Sequence, residues 1–258
     1  ELLRDFISMK FIDTHIHLQD YNIKYTTDII ETAQAKGVEK FICVGTSPED
    51  WEKVAAQAER RPEKVIPAFG LHPWHTAKAP ENWAEILEAY LQKYPGALVG
   101  ECGLDGYKNQ SPEPQNAIFQ KQLNLAAQYN RPVLIHAVKC QDDLEKYWKK
   151  LPPRCVFHSY NGKREVLKKI LASGAYVSFS FSVLQNRDCE ELVKMVPDDK
   201  ILIETDGPYQ SPVPHTETLP EQLPELALIL AGLREESECR FAEQTYRNSE
   251  RLINGRDR

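Results

Sequence analysis

Asp13-Thr14-His15-Ile16-His17 sets two imidazoles two residues apart on an apolar run, Phe11 to Leu18. Alternate side chains of a strand share a face, so His15 and His17 can reach one metal ion, and imidazole is a frequent ligand of zinc and its neighbours. Taken alone, the pair fits two hydrogen-bonded core histidines as well. Its meaning changes because four further apolar runs also end in a polar residue. Glu101 follows Val99-Gly100, His136 follows Leu134-Ile135, His158 follows Val156-Phe157, and Asp206 closes Leu202-Ile203-Glu204-Thr205. Buried without partners, such groups cost about 1–3 kcal/mol each; metal ligation would satisfy all six. Four imidazoles and two carboxylates exceed the donors that one tetrahedral ion takes, so two ions sharing a carboxylate is the economical count.

These residues must be brought to one place, and the pattern of the chain says how. Eight short runs rich in Val, Ile and Phe alternate with longer stretches of helical spacing. The runs are Phe11 to Leu18, Phe41 to Gly45, Val65 to Leu71, Ala97 to Gly103, Val133 to Ala137, Cys155 to Ser159, Tyr176 to Phe179 and Ile201 to Thr205. Strand–helix repeats imply right-handed βαβ units, and eight of them predict the α/β class, a (β/α)8 TIM barrel in a single domain. Such a barrel collects the C-terminal ends of its strands on one face, where the six polar residues would converge. Ser47-Pro48-Glu49-Asp50 predicts a helix start running to Arg60, and Asn161-Gly162 one over Lys163 to Ala172, stopped by Gly174. Tyr209 to Pro224, with four prolines, reads as a long loop over the barrel mouth.

At 258 residues with 41% hydrophobic side chains, the chain can bury one large core. A net charge of -6 argues against a broad basic face that coats nucleic acid, although bound cations can hold individual phosphates in a cleft. The six cysteines show neither CxxC pairs nor regular spacing, the pattern of reduced thiols, with Cys102 read as a small buried side chain. No apolar run has the length of a membrane span, and the start lacks the layout of a signal peptide, which points to a cytoplasmic protein with no membrane association and no obligate protein partner. Residues 1–8 precede Met9-Lys10 and read as an N-terminal extension or a remnant, with the barrel over residues 9–258.

The segments FIDTHIHL, GLHPW, VGECGLD, PVLIHA, VFHSYNG and ILIETDGPY, with a C-terminal stretch around Ala242 and Asn248, resemble the TatD family of metal-dependent deoxyribonucleases, a branch of the amidohydrolase-like barrels, from Met9 to about Asn254. The resemblance implies that His15, His17, Glu101 and Asp206 hold one divalent ion and that Glu101 bridges to a second held by His136 and His158. The ions would be drawn from Zn, Mn, Mg or Ni. Asp206 would orient or deprotonate the attacking water, and the substrate would be single-stranded or end-accessible nucleic acid. His72 matches a family position near the cleft, as a contact to a substrate phosphate or as a structural group. Trp74 is read as a base-stacking or loop-packing ring, Tyr160 with Asn161 and Gly162 as cleft lining, and Glu204 as a carboxylate hydrogen-bonded to a ligand. His75 and His215 are read as surface histidines.

The match departs from the family where substrate is held. Gly106 follows Leu104-Asp105 in place of an aromatic residue, Ala137-Val138-Lys139 lacks the usual Arg, and Pro214-His215-Thr216-Glu217 replaces the expected loop pattern. Two other functions therefore stay open: hydrolysis of a small phosphoester, amide or lactone by the same two-metal centre, and a metal-binding barrel without catalysis.

Overall fold

The computed structural model describes residues 9–22, 26–107 and 112–255. The expectation for residues 1–8 lies outside them. Eight parallel strands form one sheet in sequential order: β1 (Phe11–Ile16), β2 (Val38–Val44), β3 (Val65–Phe69), β4 (Leu98–Asp105), β5 (Val133–Val138), β6 (Cys155–Phe157), β7 (Tyr176–Phe179) and β8 (Ile201–Ile203). Between and after them lie α1 (Thr26–Ala35), α2 (Trp51–Arg60), α3 (Trp83–Lys93), α4 (Pro112–Gln128), α5 (Gln141–Leu144), α6 (Arg164–Ala172), α7 (Cys189–Met195), α8 (Leu223–Leu233) and α9 (Glu238–Asn254). The (β/α)8 barrel is as the sequence implies.

The seam between β8 and β1 is closed by polar groups on both strands. Thr205 donates to Asp13 from its amide (3.0 Å) and its hydroxyl (2.6 Å), and Thr14 Oγ1 donates to the Ile203 carbonyl at 2.9 Å. Just beyond the strand ends, the Asp206 amide donates to the His15 carbonyl and the His17 amide to that of Gly207. Burial pushes the Asp13 carboxyl up to about 7, even with Thr205 donating to it.

Two apolar layers follow from strand alternation. Outward residues such as Phe41, Val99, Ile135, Phe157 and Ile203 pack beneath the helices. Ile42, Val44, Ala68, Leu98, Leu134, Val156 and Leu202 fill the barrel interior, and Leu252 of α9 joins them. Asn248, also on α9, donates to the carbonyls of Asp198 and Ile201 and ties that helix to the start of β8.

Two local expectations are corrected. The helix predicted from Ser47 begins at Trp51, because the Asp50 carboxylate turns back to accept from the amides of Thr46 and Ser47 and closes a separate turn. The loop after β8 ends two residues early: Leu223 opens α8 with Pro224 in its first turn, where a missing amide proton costs nothing. All six cysteines are free, and Cys102 lies buried against β5. No described helix is long and apolar enough to cross a membrane.

Candidate metal centre

β4 decides where the central carboxylate points. Leu98 faces the barrel interior, so strict alternation would aim Cys102 inward and Glu101 under the helices. Pairing with β5 is in register at Val99 and Cys102 but shifts between them. The irregularity absorbs one residue and re-aims Glu101 into the barrel. Gly100 and Gly103 permit it: their φ values are +149° and +146°, and a Cβ would lie 2.6 Å from that of Leu134 and 2.0 Å from the His136 carbonyl oxygen. Beyond the bulge, Glu101, Gly103 and Asp105 share the inward parity.

Glu101 is buried, and its two oxygens face different groups. Oε2 lies 3.4 Å from His15 Nε2 and 3.9 Å from His17 Nε2. Asp206 Oδ1 lies 3.5 Å and 3.3 Å from the same two nitrogens, which are 3.3 Å apart. Four donors about 2.1 Å from a tetrahedral ion stand about 3.4 Å from one another; the donor atoms of His15, His17 and Glu101 lie close enough to share an ion, as do those of His15, His158 and Asp206. His17 Nδ1 donates to the Val44 carbonyl at 2.9 Å, which turns Nε2 toward the others. His15 Nδ1 is buried without a hydrogen-bond partner, and its ring stacks on His158 with centroids 4.0 Å apart.

The other oxygen, Oε1, meets His136 Nδ1 at 2.7 Å, His158 Nε2 at 2.8 Å and His72 Nε2 at 3.3 Å. The first two distances are those of hydrogen bonds. Each of these histidines is oriented from behind by a carboxylate: His136 Nε2 lies 2.9 Å from Asp105 Oδ2, and His158 Nδ1 lies 3.2 Å from Glu204 Oε1. Carboxylates placed in this way fix a ligand's tautomer and raise its basicity.

The buried charges shift one another's protonation. Burial favours neutral imidazoles, but Asp206 and Glu101 overcome it at His17 and raise its pKa to about 9, and Glu101 with Glu204 raises His158 well above the usual range. His15 is pushed down by burial and by the charge on His158, and His72 is lowered to about 4 by burial. Burial works against the ionised Glu101, yet the His158 charge and the hydrogen bond from His136 hold it well below the ordinary carboxylate range. Asp206 is likewise held low against its burial, chiefly by His17.

The fold thus gathers His15, His17, Glu101, His136, His158 and Asp206 into one cluster and adds His72 to it. Glu204 stands behind His158 as expected. Trp74 lies on the rim with its indole nitrogen donating to Asp105 at 2.8 Å, and its ring is 44% exposed. Tyr160 is buried and its hydroxyl donates to the Lys163 carbonyl, so the side chain shapes a loop wall. His75 is partly buried beside His72, and His215 is exposed.

Three contributors were not singled out from sequence. Asp105 has the same strand parity as Glu101 four positions before it, a signal that was present in the sequence, whereas β1 shifts register against β2 between Asp13 and Ile16, so alternation does not carry Asp13 onto the face of His15 and His17. Gln210, in the loop after β8, carries none. Its Nε2 donates to Asp206 Oδ2, while its Oε1 accepts from Ser159 (2.7 Å) and Ser180 (2.6 Å), which fixes the amide orientation.

Comparison with known proteins agrees with this geometry. The family model described as TatD related DNase matches residues 12–254. The chain is 30% identical over 241 residues to the 3'-5' ssDNA/RNA exonuclease TatD of Erwinia billingiae, covering 87% of this chain and 91% of that one. It is 33% identical over 262 residues to an uncharacterized metal-dependent hydrolase of Buchnera aphidicola, covering 95% and 97%. Among solved structures, YJJV, a TatD homolog from Escherichia coli k12, superposes with a TM-score of 0.87 at 27% identity over 95% of this chain and 98% of that one.

Proposed function

This chain belongs to the TatD-related DNase family of metal-dependent hydrolases, and on that premise we propose that it cleaves phosphodiester bonds in single-stranded or end-accessible nucleic acid with two divalent ions. The observation that carries the reading is the placement of Glu101, one buried carboxylate with its two oxygens turned to two separate histidine groups. His15, His17, Asp206 and Glu101 Oε2 would hold the first ion. His136, His158 and Glu101 Oε1 would hold the second, with His72 beside it at 3.3 Å from the same oxygen. The nitrogen and oxygen donors suit Zn, Mn or Ni more than Mg, which prefers oxygen and retained water.

When bound, paired divalent ions polarise a phosphoryl oxygen, lower the pKa of water and steady the leaving oxygen. The protein's own groups do the rest. Gln210 holds Asp206 by Oδ2, which keeps Oδ1 facing the cluster and fixes the carboxylate that would orient or deprotonate the attacking water. Asp105 and Glu204 keep His136 and His158 in fixed orientation. Trp74 and Tyr209, 44% and 51% exposed, stand on the rim with ring faces on which bases can stack.

The test is metal content together with cleavage of labelled single-stranded DNA and of a small phosphodiester, for wild type and a His15→Ala/His17→Ala variant. Wild type reconstituted with metal is expected to cut DNA, to stop on chelation and to resume on re-addition, while the variant stays inactive. Two bound ions with turnover of small esters alone would instead favour a small-ester hydrolase, a reading that the net charge of -6 and the altered loop after Asp206 support.

Stability should show the exchange of protons for metal. The His17 pKa, raised from 6.5 to about 9 in the metal-free fold, contributes stability that is full below 6.5 and lost as pH rises through 9. Ions displace that proton, so their affinity rises over the same interval. The increase in Tm on adding metal is expected to be larger at pH 9 than at pH 6.5. An equal increase at both, by calorimetry with and without chelator, would remove His17 from the ligand set.

A further inference from the structure

A cavity of about 690 Å³ opens from the His136 and His158 side of the centre, between the loops that follow β5, β6 and β7. The cluster does not use it. Its walls are already braced: Asn161 Nδ2 donates to the Ser182 carbonyl at 2.9 Å, and Asn186 Nδ2 donates to Asn161 Oδ1 at 2.9 Å. It is therefore a built cleft of the size that ligands occupy.

Its charge differs from that of the whole molecule. The chain carries a net -6, yet Lys139, Lys163, Arg164 and Arg187 line this cavity, against the carboxylates of Glu165 and Asp188. Arg164 is paired with Glu191. Lys139 lies 4.4 Å over the exposed Tyr107 ring. None of Lys139, Lys163 and Arg187 forms an ion pair with a described carboxylate. The three come from three successive strand–helix connections and all lie on one side of the centre. Across the centre, the described rim carries Asp20, which accepts from Tyr209.

A cleft that begins at the catalytic ligands and ends among unpaired cations suits an anion linked covalently to the reacting group. We propose that it seats the phosphate adjoining the scissile one, with Lys139, Lys163 and Arg187 as its partners, so that the enzyme reads at least two consecutive phosphates of a strand. The inference rests on the nuclease reading and adds to it a subsite and a minimum substrate length. It also gives a role to Lys139 at the exit of β5 and to loop residues outside the metal cluster.

The test compares a dinucleotide with a trinucleotide, both lacking terminal phosphates, so that only the second can place a phosphate in the cleft. Wild type is expected to show kcat/KM at least tenfold higher on the trinucleotide. In Lys163→Gln/Arg187→Gln that ratio should collapse toward one, with the log–log salt dependence of the trinucleotide KM shallower by about 0.7, the value for one lost phosphate contact to a single strand. Lys163→Arg/Arg187→Lys, which keeps both charges, should retain the ratio. Tm and metal content of each variant check that fold and centre are intact. A wild type that cuts both oligonucleotides equally, or a Gln variant that keeps the wild-type ratio, overturns the subsite and leaves the nuclease reading standing. A wild type that hydrolyses small diesters and neither oligonucleotide overturns both.

Discussion

Asparagine in place of Asp206 is expected to lower turnover of single-stranded DNA by about 10²- to 10⁴-fold, the range contributed by a positioned general base. The substitution keeps shape and volume but removes a charge that faces His15 at 3.5 Å and His17 at 3.3 Å. Asp206 is ionised despite burial chiefly because His17 stabilises its charge, so the variant loses both the proton acceptor and one oxygen donor to the first ion. Gln210 can still donate to the amide oxygen, which keeps the side chain in place and the fold intact. Single-turnover rates at saturating metal separate the loss of the base from weaker ion binding. A variant as fast as wild type under those conditions would deny Asp206 its role.

The other large effect is expected at Glu101. Alanine there removes the one group common to both halves of the centre and leaves His15, His17, His136, His158 and His72 facing one another without their shared counter-charge. Removing one partner of a buried charge network costs about 3–5 kcal/mol, and here less, since the histidines can release their protons. Metal content should fall from two ions per chain to at most one, with activity lost. Glu101→Gln should recover much of the Tm but not the ions. Elemental analysis of either variant showing two ions per chain would mean that the bridge is not at Glu101.

The barrel and five of the six proposed ligands were legible because the signals were local. Apolar runs of strand length end in His, Glu or Asp, and the (β/α)8 architecture needs only their number and order. Glu101 was legible for a different reason: its side chain faces the centre through a register shift that no alternation rule predicts, and position on the run plus family resemblance found it where parity would have rejected it. His72 was expected near substrate and stands among the ligands, since a turn after β3 sets its reach and turn geometry is poorly encoded by periodicity. Gln210 was invisible because its effect depends on a serine pair contributed by two other loops. Asp105 could have been found, since it shares strand parity with Glu101, while Asp13 lies before a register shift in β1 that no alternation rule predicts.

The polar seam between β1 and β8 joins residues separated by about 190 positions in the chain, as in the bond from Thr14 to Ile203, and the first ion's donors straddle it, with His15 and His17 on one side and Asp206 on the other. During synthesis, then, the proposed donor set of the first ion is incomplete until Asp206 has been added. Bringing those ends together is among the longest loop closures the chain must make. Assembly of the centre therefore coincides with ring closure, and a growing polypeptide stays inert toward nucleic acid until its last strand has docked against its first.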